Sequence, residues 1–133
     1  MDDTLNKDGK LEDETVVVNN ESRSIQKEYY DNGQLRFEMP YVDGKEHGIA
    51  KSYYESGKLM SETPYENGKK HGIWKGYYET GQLMTEIPLI NGEANGIWKG
   101  YYESGEIKEE RSYVNDELTG TKYYNKNGQL IKE

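Results

Sequence analysis

The feature that most constrains this chain is a period of 24 residues that runs through most of its length. Residues 67–86 read NGKKHGIWKGYYETGQLMTE, and residues 91–110 return almost the same string as NGEANGIWKGYYESGEIKEE. A fixed period of about 20 to 50 residues is typical of repeat architectures, in which each small unit stacks on its neighbours. The sequence therefore predicts one domain built from tandem copies of a single supersecondary unit.

Glycines and tyrosine pairs mark the period along the chain. One glycine series keeps a step of 24, and a second series keeps the same step; they are Gly9, Gly33, Gly57, Gly81 and Gly105, and Gly48, Gly72, Gly96 and Gly120. Tyrosine pairs recur at residues 29–30, 53–54, 77–78 and 101–102, and a pair at 123–124 is displaced by one residue. We expect a single repeat domain over 1–133, with a capping partial repeat over 1–24, four repeats over 25–120 and a half repeat over 121–133.

Each unit reads as a β-hairpin, so the predicted class is all-β. Two segments with period-2 alternation, such as 72–78 and 83–89, are separated by turn residues. A two-residue hairpin loop fits between them, with glycine supplying a positive φ. The predicted loops are Asn32-Gly33, Ser56-Gly57, Thr80-Gly81 and Ser104-Gly105.

A two-residue loop fixes which residues face each other across the hairpin. In the third hairpin it pairs Tyr78 with Leu83, Gly76 with Thr85, Trp74 with Ile87 and Gly72 with Leu89 on an uncharged face. The other face pairs Tyr77 with Met84, Lys75 with Glu86 and Ile73 with Pro88. The same register elsewhere gives Lys27 with Glu38, Lys51 with Glu62 and Lys99 with Glu110. Exposed cross-strand ion pairs contribute about 0.2 to 1 kcal/mol each, which favours a solvated sheet face over acid–base catalysis.

The uncharged face carries a stripe of aromatic side chains: Tyr30, Tyr54, Tyr78, Tyr102, Trp74 and Trp98, with Leu35, Leu59, Leu83 and Ile107 beside it. It is the best candidate core, with Gly48, Gly72 and Gly96 under large side chains at Tyr65, Leu89 and Tyr113. Pro40, Pro64 and Pro88 remove ladder donors, so each second strand pairs fully on only one side near its end. Glu109 and Arg111 enter this face in the fourth hairpin, where they pair with each other or mark its opening to solvent.

Composition argues against several classes of partner. The net charge of -8 makes nucleic acid or an anionic membrane a poor partner, because both favour basic surfaces. The chain lacks cysteine and so has neither disulfides nor thiolate metal sites. Its first ten residues hold no apolar signal region, so we expect a soluble protein that is cytoplasmic as given, or exported if a signal sequence has been removed.

No catalytic or metal-binding pattern is present in the sequence. His47 and His71 are the only histidines, and their 24-residue separation puts them on neighbouring hairpins, too far apart to share a metal. The glycines form no GxxxxGK[ST] phosphate loop, and no serine has a triad partner. We therefore expect no enzyme activity, no cofactor and no metal.

The motif YYxxGxL followed by YxxGKxxGxW resembles the MORN repeat, most closely its short bacterial variant, which occurs in families labelled as toxin–antitoxin components. The matching positions run from Tyr53-Tyr54 through Leu59, Tyr65 and Gly72 to Trp74. The third unit departs from the motif, with Leu89 where a tyrosine is expected. The resemblance implies an elongated, single-layered antiparallel sheet of tandem hairpins, and functions in scaffolding, protein binding or, in some members, phospholipid association.

A single-layered sheet leaves both faces uncovered, so the aromatic stripe is either packing along the ribbon or a contact surface. The leading hypothesis is a non-enzymatic scaffold that binds a protein partner, an antitoxin-type partner among the options. The alternative is carbohydrate binding at a cell surface, and lipid binding stands third. Self-association through a terminal edge strand is a further expectation. The candidate binding residues are Trp74, Trp98, Tyr54, Tyr78 and Tyr102.

Overall fold

The computed structural model describes residues 4–5, 11–18 and 20–133. Within these residues the chain forms one antiparallel sheet of fifteen strands and no helix. The strands are β1 (Thr4–Leu5), β2 (Leu11–Val18), β3 (Glu21–Tyr29), β4 (Leu35–Val42), β5 (Lys45–Glu46), β6 (Gly48–Tyr53), β7 (Leu59–Glu66), β8 (Lys69–Lys70), β9 (Gly72–Tyr77), β10 (Leu83–Ile90), β11 (Glu93–Ala94), β12 (Gly96–Tyr101), β13 (Ile107–Val114), β14 (Glu117–Tyr124) and β15 (Leu130–Lys132).

The sheet follows the order of the sequence from one end to the other. Its main path runs β1-β2-β3-β4-β6-β7-β9-β10-β12-β13-β14-β15, and the short strands β5, β8 and β11 each pair with the strand before them. The predicted single-layered sheet of tandem hairpins is confirmed. Each strand can find its partner locally because the hairpin unit repeats without a crossover.

Two kinds of loop alternate along the sheet, and one of them was predicted wrongly. The loop at Thr80-Gly81 is longer than two residues: the Tyr78 N–H donates to the Gln82 carbonyl (2.9 Å), and the Gly81 N–H donates back to the Tyr78 carbonyl (2.9 Å). Gly81 has a φ of 92°, which closes a three-residue loop with a glycine bulge. The loops at Asn32-Gly33, Ser56-Gly57 and Ser104-Gly105 repeat this pattern.

The two-residue loops lie at the opposite edge of the sheet. Asn67 and Gly68 have φ values of 50° and 86°, the left-handed pair that a type I′ turn requires. Glu66 pairs with Lys69 across this turn. The equivalent loops are at Asp43-Gly44, Asn91-Gly92 and Asn115-Asp116.

The register in the body of each hairpin is nevertheless the predicted one. Gly76 pairs with Thr85, Lys75 with Glu86 and Trp74 with Ile87. The extra loop residue shifts the pairing by one, so Tyr77 pairs with Leu83 and not with Met84 as predicted. A bulge between Leu83 and Thr85 then shifts the pairing back, and the two displacements cancel.

Glutamate and lysine alternate in one continuous row across ten strands. The predicted pairs are neighbours in register, and the row continues between hairpins as well. In strand order it reads Glu12, Lys27, Glu38, Lys51, Glu62, Lys75, Glu86, Lys99, Glu110 and Lys122. We call it the Glu–Lys ladder.

The predicted ion pairs within this ladder are not formed. Among the residues that the structure describes, no ion pair within 4.0 Å joins a ladder lysine to a ladder glutamate. The carboxylates accept hydrogen bonds from tyrosine hydroxyls of the following hairpin instead, as Glu62 does from Tyr77 (2.6 Å). A phenol that is held in place by the sheet displaces a flexible lysine whose charge is better solvated by water.

Few side chains are buried, because a single layer has no second layer to pack against. Where side chains are described, the buried apolar residues are Ala50 and Met39, which are 2% and 8% exposed. Thr85 is a buried polar residue at 9%. The aromatic stripe and its leucines are half-buried, so the prediction that they form the core holds only in part.

Each of the three prolines contacts the residues at which the first strand of the next hairpin begins. The His71 N–H donates to the Pro64 carbonyl (3.0 Å), and a Cβ on Gly72 would lie 2.9 Å from Cγ of Pro64. Gly72 has a φ of 122°, which glycine tolerates best. The side chain that covers the glycine is thus a proline of the preceding hairpin, and not that of its register partner Leu89 as predicted. Pro40 with Gly48 and Pro88 with Gly96 repeat the joint.

The predicted terminal caps are described only in part. The capping partial repeat predicted over 1–24 is described only at residues 4–5, 11–18 and 20–24. At the other end Asn125 takes the turn position of the second tyrosine, because its N–H donates to the Gln129 carbonyl (2.9 Å).

Candidate binding face

Two tryptophans lie against glycines two residues further along their own strands. A Cβ atom on Gly76 would lie 2.8 Å from Cη2 of Trp74, so the six-membered ring of this indole rests on the Gly76 backbone. Trp98 lies on Gly100 in the same way, with a Cβ distance of 3.0 Å to Cη2. Since side chains two residues apart in a strand point to the same face, a bare backbone is what lets each ring lie down on the sheet.

The two tryptophans line one groove, which we call the tryptophan groove. Trp74 is on β9, Trp98 is on β12, and Ile87 of β10 lies between them; the two indoles are about 10 Å apart at two strand spacings. The groove has a volume of about 360 Å³. Its lining is completed by Tyr78, Met84, Thr85, Gly100, Tyr101, Lys108 and Glu109.

Thr85 lies at the floor of this groove, between Gly76 on one side and Gly100 on the other. Its hydroxyl Oγ1 is buried and has no hydrogen-bond partner in the structure. Its methyl group fills the space above Gly76, since a Cβ there would lie 3.1 Å from Thr85 Cγ2. Thr85 therefore supports the Trp74 side of the floor.

The second tyrosine of each tyrosine pair fastens its hairpin to the next one through a hydrogen bond from its hydroxyl to a backbone carbonyl. The Tyr54 hydroxyl donates to the Tyr77 carbonyl (2.6 Å), and the Tyr78 hydroxyl donates to the Tyr101 carbonyl (2.7 Å). Tyr102 does the same to the carbonyl of Tyr124 (2.8 Å). Of the five predicted binding residues, the structure thus brings Trp74, Tyr78 and Trp98 into one groove. Tyr102 lies with Tyr78 in a separate pocket near the glycine-bulge loops, and Tyr54 serves as a fastener.

A charged cluster closes one end of the groove. The Arg111 guanidinium carbon lies 4.8 Å from the ring centroid of Trp98, and its Nε donates to the Glu109 carboxylate. This hydrogen bond raises the pKa of the Arg111 guanidinium. The first predicted alternative, that these two residues pair with each other, is confirmed. Trp98 is therefore partly covered by a cation, whereas Trp74 faces the neutral side chain of Ile87.

The opposite face is defined by the Glu–Lys ladder and the first tyrosine of each pair. The Tyr53 hydroxyl donates to Glu38 (2.9 Å), and Tyr101 donates to Glu86. Burial, together with the hydrogen bond to Glu62, raises the pKa of Tyr77 to about 12. The pKa values of Tyr53 and Tyr101 are raised to about 12 for the same two reasons, with burial first.

A row of exposed isoleucines on this second face was not singled out from the sequence. Ile25, Ile49, Ile73 and Ile97 recur every 24 residues and are 42% to 49% exposed. The signal was available, since each is paired with proline or serine on the ladder side of the predicted register. Because they recur on alternate strands of one face, the four isoleucines form an exposed apolar row, and a contiguous exposed apolar area is typical of a contact surface.

Other chemistry is limited in the described part of the chain. No cluster of three or more metal-ligating side chains occurs there, and His71 uses its Nδ1 to accept from the Asn91 N–H (3.4 Å). No helix in those residues has the length and apolarity needed to cross a membrane. The described residues therefore offer contact surfaces, and the tryptophan groove is an apolar, aromatic part of them.

Comparison with protein families agrees with this architecture. The model of the MORN repeat variant matches four consecutive segments, residues 24–43, 46–67, 70–91 and 94–115, and each segment contains one long hairpin. The chain matches no curated protein sequence. MORN repeats are commonly modules that bind proteins or membranes. Because the four segments cover more than half of its length, the chain belongs to the MORN repeat variant family.

Proposed function

We propose that the chain is a non-catalytic binding module whose tryptophan groove receives an apolar or aromatic side chain of a partner protein. One observation carries the proposal: two half-buried indoles are held on glycines at the two sides of a single groove. Aromatic anchors that close around an inserted side chain dominate the binding energy of many protein interfaces. An antitoxin-type role is one form of this proposal, in which the partner is a toxin.

The rigidity of the groove supports a binding role. Each indole rests on a strand, and the fastening hydroxyls of Tyr54 and Tyr78 tie the strands of successive hairpins together. A surface that is already ordered loses little conformational freedom on binding, which leaves more of the contact energy as affinity. The exposed Lys108 in the groove lining provides a positive charge that can orient a partner.

The test compares two single substitutions on opposite faces. The purified chain, Trp74→Ala and Ile90→Ala are each used for crosslinking to interacting proteins and for affinity measurement with any protein identified. Ile90 is 47% exposed and lies away from the groove, so it controls for the loss of exposed apolar area. We expect Trp74→Ala to weaken binding by about 2 kcal/mol or more, as for an aromatic hot spot, and Ile90→Ala to leave it unchanged.

Circular dichroism and thermal unfolding must show that both variants remain folded. A partner that binds Trp74→Ala and Trp98→Ala as tightly as the parent chain rejects the groove as its site. A toxin-like reading frame beside the gene supplies the first partner to try.

A second candidate function is carbohydrate recognition. It is favoured by the position of Trp74, whose ring lies on the sheet backbone with a groove beside it, since a flat exposed ring can stack on the C–H-rich face of a sugar. A glycan array probed with the parent chain and Trp74→Ala decides the matter. Signals that are lost in the variant support this function, and an array without signals removes it.

A further inference from the structure

The face opposite the tryptophan groove carries two parallel rows of side chains, the Glu–Lys ladder and a row of isoleucines and prolines. Both rows change residue type from one strand to the next. Strands β3, β6, β9 and β12 each present a lysine of the Glu–Lys ladder and an isoleucine two residues before it, as Lys75 and Ile73 do. Strands β4, β7 and β10 each present a ladder glutamate and a proline two residues after it, as Glu86 and Pro88 do. Lysine–isoleucine strands therefore alternate with glutamate–proline strands. We call this surface the ladder face.

Within the described part of one chain, the isoleucines of this face are not covered by other side chains, and the charges of the Glu–Lys ladder are not paired with each other. The isoleucines of the row are 42% to 49% exposed. Lys51, Lys75 and Lys99 form no ion pair within 4.0 Å with the described residues. Glu38, Glu62, Glu86 and Glu110 each accept one tyrosine hydroxyl, and a carboxylate can accept further hydrogen bonds. The ladder face thus presents apolar area and unpaired charge of both signs.

We infer that the ladder face is a self-association surface, on which a second copy of this chain packs face to face. The geometry follows from the alternation. A two-fold axis that lies parallel to the strands and passes between a lysine–isoleucine strand and its glutamate–proline neighbour sets unlike strands opposite each other. With the axis between β7 and β9, every ladder glutamate faces a lysine of the other copy, and three of the four isoleucines face a proline. The fourth isoleucine, Ile25, faces Ser112. A single position of the two-fold axis matches the charged row and the apolar row together, because both rows repeat every two strands.

The charge pattern selects a second copy over another occupant. The ladder repeats every two strands, about 10 Å, and only a sheet with the same spacing can match it throughout. A partner of one charge sign would be repelled by half of the row. The chain as a whole carries a net charge of -8, whereas the ladder has equal numbers of glutamates and lysines. The ladder face therefore repels a second acidic chain less than the remaining surface does.

The available area is adequate for a weak or moderate dimer. Two rows that cross about ten strands cover roughly 600 Å² on each copy at ordinary strand and residue spacings. A standard protein interface buries about 800 Å² on each partner. Two sheets that pack about 10 Å apart leave room for isoleucine and proline side chains to interdigitate between them.

The experiment measures molar mass as a function of concentration, by light scattering and sedimentation equilibrium. The parent chain of 15.4 kDa is expected to approach twice that mass as the concentration rises. Lys51→Glu combined with Lys75→Glu sets like charges opposite each other, so the dimer dissociation constant should rise by about tenfold or more. Ile49→Thr combined with Ile73→Thr keeps the β-branched shape and should also weaken the dimer.

Matched controls separate the ladder face from net charge and from the sheet edges. Lys58→Glu combined with Lys126→Glu makes the same change in net charge at exposed loop positions away from the ladder face, and its dimer should match that of the parent chain. Mixing the Lys51→Glu, Lys75→Glu chain with a Glu62→Lys, Glu86→Lys chain should restore association, because opposite charges then meet.

Two results would overturn the inference. One is a parent chain that stays monomeric at every concentration. The other is a dimer that persists unweakened in both ladder-face variants while circular dichroism shows them folded, which would place the contact at an edge strand instead.

Discussion

Gly76 shows how a single residue sets the character of the tryptophan groove. A strand interior is a costly place for glycine, which loses more freedom there than any other residue. Here its missing side chain leaves the space that the Trp74 ring fills. The chain keeps the same combination at Gly100 and Trp98, whereas the second hairpin has Ser52 and Ala50 at these positions. A tryptophan thus occurs where a glycine two residues later leaves room for its ring to pack flat against the sheet.

Gly76→Ala is therefore expected to destabilise the fold and lift the Trp74 ring. The new Cβ would lie 2.8 Å from Trp74 Cη2 and 3.1 Å from Thr85 Cγ2, and overpacking of this kind typically costs about 1 to 3 kcal/mol. Denaturant unfolding and tryptophan fluorescence measure the two effects. Gly120→Ala is the matched control, because no atom lies within 4 Å of its added Cβ and it should be neutral or slightly stabilising. Equal stability of the two variants would contradict the packing of Trp74 on Gly76.

The first tyrosine of each pair gives stability a predictable pH dependence. The pKa of Tyr77 is raised to about 12 in the folded chain, against about 10 when unfolded. The folded state then holds its proton more tightly, so this contribution is fully present below about pH 10 and is lost as pH rises toward 12. We expect the free energy of unfolding to fall across that window.

Ultraviolet titration of tyrosinate absorbance checks the shift directly. Several tyrosines of the folded chain should ionise near pH 12, and the same groups should ionise near pH 10 in denaturant. In Glu62→Gln the pKa of Tyr77 should fall only in part, because burial is the larger cause. A folded chain whose tyrosines all ionise at the ordinary pH would refute the hydroxyl–carboxylate bonds.

At the scale of elements, the unit of construction is a hairpin plus the joint that seats it on its neighbour. The hairpin is built from local pairing between β9 and β10. The contact between successive hairpins is of a different kind. Pro64 of β7 interrupts the backbone hydrogen bonding between β7 and β9. Gly72 accommodates both the ring of this proline and a φ of 122°. Each glutamate–proline strand therefore pairs along its whole length on one side only, as the sequence predicted.

Gly72→Ala should cost about 1 to 3 kcal/mol, because alanine is strained at this φ and also meets the proline ring. A double variant with Pro64→Ala separates the two causes. Removing the ring relieves the contact but leaves the backbone strain, so we expect only partial recovery in thermal unfolding. Full recovery would show that contact with the ring is the whole cost, and no recovery would show that the backbone is.

At the scale of the whole molecule, the chain behaves as a one-dimensional array. Each hairpin contacts its sequence neighbours, the loops stack at both edges, and little is buried in any single unit. Stability in such arrays is approximately a sum over units and the interfaces between neighbours. The two faces of the array are chemically distinct, with aromatic side chains on one and the Glu–Lys ladder on the other.

Deletion of one full period is expected to preserve the fold. Removing residues 70–93 joins equivalent positions of two repeats, so every strand retains a partner of the correct type. The variant should keep its β-sheet circular dichroism and unfold at a lower denaturant concentration than the parent chain. Removing residues 70–81, half a period, breaks a hairpin and should abolish cooperative unfolding. A full-period deletion that fails to fold would show that the units are not interchangeable.

The sequence by itself determined the 24-residue unit, the tandem hairpins, the faces of Trp74 and Lys75, and the register in the body of each strand. These depend on alternation and pairing within one hairpin, and period-2 alternation permits only one face for each side chain. The three-residue loop and the bulge beside Met84 escaped the prediction because their effects on the register cancel.

Only the tertiary structure decided how one hairpin meets the next. Glu62 binds Tyr77 and not Lys75, Pro64 covers Gly72, and Trp74 shares a groove with Trp98. Each of these contacts joins atoms from different repeats, whose relative positions depend on how the sheet continues from hairpin to hairpin. A pattern inside one unit specifies the pairing within that unit, but it leaves open which neighbour supplies the hydrogen-bond donor or the covering ring.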